Sequence, residues 1–422
     1  MSDASGGTAI KALVFLLAVI AYGLIVSAFP FDYHDADSSC YSRISMELAK
    51  EPMAAWCAPQ WYGHGGNQGL FRDHFPGIFW LPALLVRAGV KDSRAALVAN
   101  FIYILLGLWF LYKLASLYGD AGLRSHDGRP FGACDSALRS HESRPFGACD
   151  SALGWAAVFG FVLTPIFLQY LIRANHEPPL NLAVTAALYA LARRPRAFRH
   201  KALFVAALVF AVFIKGFSAA LLSILAVLFW LILSRDRRTF ALIAVAHLIM
   251  LAAVALFEVW YRGVAHTSFL AAYAAFQGGR TVSLQISPLR KLYNVVWYAA
   301  RVLWFSAPWV YFALYGLAKY GRRTLALAKD RLLHALLGGG LAVMAFIALS
   351  DRKADRYIFP AYMLFALAGV YALGKMKPGF LAFFRRREAR WPYVLAAALV
   401  LFAFLSIYAD NHFYAFIRFW PK

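Results

Sequence analysis

The groups able to do acid, base or phosphate chemistry cluster at a few places in this chain, each beside an apolar run. Asp35 and Asp37 share one polar stretch, residues 34–80, with Asp73 and His74. His176 and Glu177 stand just before a Pro-Pro step, Lys215 ends an apolar run, and residues 351–356 are a charged cluster closed by Arg356. Charge at a membrane boundary is costly, so such groups pair, bind a ligand or line a wet cavity. Carboxylates on one wall and Lys and Arg on another suit a phosphate-bearing donor and an acceptor hydroxyl or amine. A carboxylate there acts as general base or holds a divalent cation. The cations bind phosphate and stabilise it as it leaves. Each group also has a plainer reading: Asp35 as a turn residue, Lys215 as a snorkelling interfacial lysine, residues 351–356 as a solvated loop. Taken together on one face they read as a site, with Asp37 at its centre.

The elements that position them are membrane helices. The chain has 422 residues, of which 62% are hydrophobic and 15% charged, against about 25% charged in a soluble domain. Apolar runs of about 15 to 24 residues recur throughout, flanked by Arg or Lys, and none shows barrel alternation. The fold class is all-α, a single polytopic membrane domain over residues 1–422. The net charge of +22 lies in short loops between apolar runs, where it sets orientation and attracts anionic lipid. Nucleic acid is not an expected partner; membrane lipids are.

Basic loops order the crossings. Lys11 precedes the first span, 13–29, so residues 30–75 form a first external loop with a short amphipathic helix at 44–50. The basic residues of 193–201 mark a cytoplasmic loop, which puts Glu177 outside. The three runs 76–90, 95–117 and 155–172 therefore cannot all cross, and the short, proline-broken 76–90 is expected to insert only partly. Residues 118–154 are then cytoplasmic. Later spans are expected at 179–191, 202–214, 217–233, 240–260, 295–317, 333–349, 357–373 and 393–408, for about eleven crossings, with a second external loop at 261–293.

Residues 123–137 recur at 138–152 with two differences. This near-identity reads as a recent duplication of hydrophilic linker, since a repeat array needs more copies. His126, Cys134, His141 and Cys149 fit no zinc spacing. Cys40 and Cys57 share the first loop and either pair or stay free thiols, according to the compartment it faces. His266, in the second external loop beside Glu258 and Arg280, is a metal candidate with Asp73.

Several short motifs carry a resemblance. Asp37-Ser38-Ser39-Cys40-Tyr41 resembles the Asp-Glu-x-x-Tyr of GT-C membrane glycosyltransferases that use polyprenyl-phosphate sugars, in the branch of the protein O-mannosyltransferases and lipid A aminoarabinose transferases. Ser38 replaces the Glu, and Asp35 is the candidate substitute. Arg72-Asp73-His74-Phe75-Pro76 before Phe79-Trp80 resembles that branch's acid-lysine-proline segment, with His74 at the lysine's place. Arg173-Ala174-Asn175-His176-Glu177 resembles its second acidic site, Lys215-Gly216 its Lys-Gly, and Arg356-Tyr357-Ile358-Phe359-Pro360 its Arg-Tyr-x-x-Pro.

The resemblance implies an inverting glycosyltransferase in an inner membrane, its active site external. It implies Asp37 as catalytic residue with Glu177 in support, and Lys215, Arg356 and His74 on the donor phosphate. Asp35, Asp73, Tyr41, His176 and Tyr357 would contact substrate or a cation. The implied donor is a polyprenyl-phosphate sugar, the acceptor a lipid, glycan or protein, and the only implied cofactor an optional divalent cation. A transporter or flippase would carry polar residues at mid-span and repeated helix groups, whereas the charges here sit at run ends. An envelope polymer ligase would place a basic catalytic loop late, and residues 352–356 keep that alternative open.

Overall fold

The computed structural model describes residues 3–28, 36–61, 69–124, 151–193, 197–216, 220–281, 287–323, 331–350 and 353–418. Asp35, Asp351, Arg352 and residues 125–150, most of the tandem repeat with its His126, Cys134, His141 and Cys149, lie outside these.

The described residues form seventeen α-helices and one two-stranded antiparallel ribbon. In chain order the first four are α1 (Asp3–Ala28), α2 (Ala36–Lys50), α3 (Gly77–Arg87) and α4 (Asp92–Arg124). The ribbon joins β1 (Gln60–Trp61) to β2 (Gly69–Leu70), with Gln60 opposite Leu70. There follow α5 (Ser151–Val162), α6 (Pro165–Tyr170), α7 (Glu177–Ala192), α8 (Phe198–Lys215), α9 (Ala220–Phe229), α10 (Arg237–Ala265) and α11 (Phe269–Thr281). The last are α12 (Pro288–Phe305), α13 (Trp309–Arg323), α14 (Arg331–Ala348), α15 (Phe359–Met376), α16 (Pro378–Arg386) and α17 (Trp391–Arg418).

This is a polytopic helical membrane fold. Among the described residues five helical stretches are long and apolar enough to cross a bilayer: Arg94–Tyr118, Arg237–Ala265, Arg331–Ala348, Asp355–Met376 and Glu388–Ala409. Their burial separates centre from rim. The apolar window in Asp355–Met376 is 89% buried and that in Arg237–Ala265 only 17%. So α15 is the core helix, and α10 turns Leu248, Leu251, Leu256 and Val259 outward, where acyl chains would cover them.

Two runs read from the sequence as single spans are each two helices. The run 155–172 breaks at Thr164, extended at φ −78°, ψ 143° before Pro165. The run 295–317 breaks between Phe305 and Trp309, across Pro308. Proline lacks the N–H a helix needs and pushes its predecessor out of helical geometry. The run 76–90 becomes α3, 11 residues with Pro82 inside. At 1.5 Å per residue it rises about 16 Å, roughly half the hydrocarbon thickness.

Candidate active site

Four helix termini bring the charged residues together. Asp37 lies in the first turn of α2, where a carboxylate meets the positive end of the helix dipole. Glu177 begins α7 and Lys215 ends α8. Arg356 belongs to a 3-10 turn, Asp355–Ile358, that leads into α15.

The charges form two cross-element pairs. Arg356 Nη2 lies 2.6 Å from Asp37 Oδ2. Lys215 Nζ donates to Glu177 Oε1 at 2.8 Å. Tyr357 underlies both cations, with Lys215 Nζ 5.3 Å and the Arg356 guanidinium 5.6 Å from its ring centre, a cation–π geometry. Walls of opposite sign, expected from the sequence, are thus replaced by alternating signs. The reason is burial: an uncompensated charge out of water costs several kcal/mol, so each takes a counterion. The pairs differ in access. The Lys215 and Glu177 side chains are 9% and 1% exposed, against 25% and 35% for Arg356 and Asp37. The second pair is the one a ligand can reach.

Three rings line the same place. Tyr41, one turn after Asp37, meets His176 edge-on at 4.7 Å, and the His74 and His176 rings lie 4.5 Å apart. Burial, and then His74, Lys215 and Arg356, push the His176 imidazole well below its ordinary pKa. His176 is therefore neutral, and its buried Nε2 has no hydrogen-bond partner among the described residues. Burial first, and Asp37 second, hold the Tyr41 phenol well above its usual range. Burial raises the Cys40 thiol to about 12, with help from Asp37 and Asp73, so both carboxylates lie within electrostatic reach of it. Cys40 and Cys57 are not bonded to each other in the structure.

Local packing explains the positions. On α2, Tyr41, Ile44 and Leu48 share one face and pack with Ile78, Phe79 and Ala83 of α3 and Ile214 of α8. Gly77 admits this approach, since a Cβ there would lie 2.6 Å from the Phe213 carbonyl oxygen. Gly216 turns the chain at φ +54° directly after Lys215, against Tyr273 of α11, a conformation and a space that suit glycine. Phe75 anchors the segment bearing His74, its ring 4.7 Å from Phe269 and 5.3 Å from both Phe257 and Tyr273. Gln277 Nε2 donates to the Asp73 carbonyl at 2.6 Å. Ser38 acts as a tether. Its buried Oγ accepts from the Ala174 N–H at 3.0 Å and ties α2 to the segment before His176.

The second-loop candidates behave differently. His266 caps α10 in a left-handed conformation, φ +53°. Glu258 accepts from Arg262 at 2.7 Å, from the Ser268 hydroxyl at 2.6 Å and from the Leu270 N–H at 3.0 Å, which fixes the turn from α10 to α11. Among the described residues no three His, Cys, Asp or Glu side chains converge as a metal-ligand set.

Among solved structures the chain is similar to ArnT from Cupriavidus metallidurans bound to undecaprenyl phosphate. The TM-score is 0.62 at 15% identity, over 96% of this chain and 77% of that one. The same protein in the apo state gives 0.59 at 15% identity, over 97% and 78%. The chain has the ArnT fold. No family model matches it, and neither does any curated protein sequence.

Within the ArnT fold, some residues that build the site escaped the motif reading. Arg301 of α12 stands 3.1 Å from Asp355, the residue before Arg356. Asn100 of α4 donates to the Arg173 carbonyl, and Tyr22 of α1 donates to the Leu171 carbonyl at 2.8 Å. Arg301 had a usable signal. It is the one charged residue inside the apolar run 295–317, and intramembrane charge is expensive. Asn100 and Tyr22 had none, since their partners are backbone carbonyls.

Proposed function

We propose that this chain is an integral membrane glycosyltransferase. It moves a sugar from a polyprenyl-phosphate donor to a lipid, glycan or protein acceptor, at the external face of a bacterial inner membrane, with inversion at the anomeric carbon. The observation that carries this reading is the accessible Asp37–Arg356 pair, flanked by the buried Lys215–Glu177 pair on one tyrosine ring. The undecaprenyl phosphate bound by the similarly folded ArnT supports the donor class.

The chemistry follows from the pairing. A sugar phosphate seated between Asp37 and Arg356 parts them. Its phosphate takes the guanidinium, and the acceptor hydroxyl or amine takes the freed carboxylate. The acceptor heteroatom bonds to the anomeric carbon as the bond from that carbon to the phosphate oxygen breaks. Asp37 accepts the acceptor's proton, and polyprenyl phosphate departs with the electron pair. Arg356, with His74 beside it, stabilises the charge on the leaving oxygens by contact, and the buried Lys215 adds positive charge from beneath. Glu177 supports the site through Lys215, and Tyr357 sets the spacing of the two cations.

The test is transfer of labelled sugar from polyprenyl-phosphate donors in proteoliposomes, wild type against Asp37→Asn at matched folding. The expected loss is about 10²- to 10⁴-fold, the usual worth of a general base. Equal transfer by both would remove Asp37 from the chemistry. No transfer by the wild type, over a panel of donors and acceptors, would count against the enzyme and direct the next assay to lipid flipping.

A further inference from the structure

We infer that Arg301 is a positioning residue that aims Arg356 through Asp355. Only the ligand in its test rests on the glycosyltransferase reading. On α12 the residues Asn294, Tyr298, Arg301, Val302 and Phe305 are buried, and their spacing makes one stripe along the helix. Two polar members of that stripe grip the link between α14 and α15 at its two ends. At the near end, Asn294 Nδ2 donates to the carbonyls of Ala348 at 3.3 Å and Ser350 at 3.0 Å. At the far end, Arg301 Nε lies 3.1 Å from Asp355 Oδ1. Asp355 is held through its backbone as well, where Tyr362 Oη donates to its carbonyl at 3.1 Å. The next residue is Arg356, which reaches across to Asp37 at 2.6 Å.

The arrangement is more than packing requires. Arg301 is 7% exposed, and its guanidinium stacks 4.7 Å from the Trp297 ring centre. A buried ion pair is a poor source of stability, since apolar residues of similar volume commonly do as well. What the pair supplies is placement. The Arg301 guanidinium, itself held by Trp297, fixes where the Asp355 carboxylate sits by charge rather than by a hydrogen bond, since Asp355 Oδ1 accepts none among the described residues. With Asp355 fixed by side chain and backbone, the adjoining Cα cannot swing, and the Arg356 side chain leaves it toward Asp37.

The test uses the full chain in nanodiscs with undecaprenyl phosphate as probe. Arg301→Gln is expected to speed amide exchange at residues 353–358 while other helices keep their protection. It should weaken probe binding about ten- to a hundredfold, the worth of one charge-assisted hydrogen bond. Arg301→Lys should recover part of that loss. On an Arg356→Gln background, Arg301→Gln should cost nothing further, because its effect passes through Arg356. Asp355→Asn reports on the same contact if Arg301→Gln folds poorly. Unchanged exchange at 353–358, or an undiminished loss on the Arg356→Gln background, overturns the inference. If the wild type does not bind the probe, the donor reading fails, and exchange at 353–358 alone then decides the positioning.

Discussion

Asp37, in the first turn of α2, and Arg356, in the turn that leads into α15, meet at 2.6 Å while both remain partly open to solvent. A guanidinium can hold a carboxylate or a phosphate through the same pair of N–H groups. Arg356→Gln is therefore expected to lower kcat/KM for the donor by about 10²- to 10³-fold, as removal of a charge-stabilising donor does elsewhere. Arg356→Lys should fall between, since it keeps charge and loses the fork. Steady-state transfer at varied donor concentration measures both; a wild-type value for Arg356→Gln would place the phosphate elsewhere.

The Lys215–Glu177 pair separates stability from function. Its side chains are 9% and 1% exposed. Lys215→Met or Glu177→Gln alone leaves one partner uncompensated and should cost about 3–5 kcal/mol. The double change Lys215→Met with Glu177→Leu should regain most of that in thermal unfolding, yet not regain transfer. Recovery of transfer by the double variant would show that Lys215 has no part in phosphate binding.

Ser38 stands where the resembling family carries an acid, and here its hydroxyl satisfies the Ala174 N–H at 3.0 Å. Ser38→Ala should cost about 1–3 kcal/mol, the penalty for a buried donor left without a partner. Ser38→Glu should cost more, because Ser38 is 1% exposed and a larger charged group has no room there. Unfolding midpoints of the two variants in one detergent give the order; a stabilising Ser38→Glu would reverse the assignment.

The depressed His176 imidazole has a pH signature. Its folded pKa lies below the ordinary value because burial and nearby cations disfavour its charged form. The unfolded chain then binds the proton first. This contribution is fully present above the unfolded value of about 6.5 and is lost as pH falls through the folded value. Unfolding midpoints of the wild type should drop below about pH 6.5 more steeply than those of His176→Gln. Parallel curves would mean that the His176 pKa is the same in the folded and the unfolded chain.

Much of the site was legible in the residues, for physical reasons that also mark the limits. Asp37, Glu177, Lys215 and Arg356 could be picked out because charge at an external run end is costly unless it is used, and Tyr41 through the motif it shares with Asp37; the structure collects them at one place. Which cation takes which carboxylate was not legible, since it depends on helix packing that brings α2 to the start of α15 and α7 to the end of α8. The helix at 44–50 in fact begins at Ala36, because its first turn is polar and shows no periodicity. The breaks at Thr164 and before Trp309 lie inside unbroken apolar runs, where composition alone reads as one span. Arg301 was legible as the one charge inside the run 295–317, but a run judged by its length passes over it.

In the proposed reaction the paired charges also set the site's electrical state through a turnover. Asp37, Glu177, Lys215 and Arg356 sum to zero. A sugar phosphodiester brings one negative charge. After the proposed transfer Asp37 would hold a proton, and the polyprenyl phosphate, then a monoester, would carry about −1.5 to −2. Charge has moved from carboxylate to phosphate with little change in the total, so the low-dielectric surroundings do not oppose the step. Opposition comes afterwards. When Asp37 gives its proton to water, a carboxylate reappears beside a nearly dianionic phosphate, and repulsion favours departure of the spent carrier and return of Arg356 to Asp37.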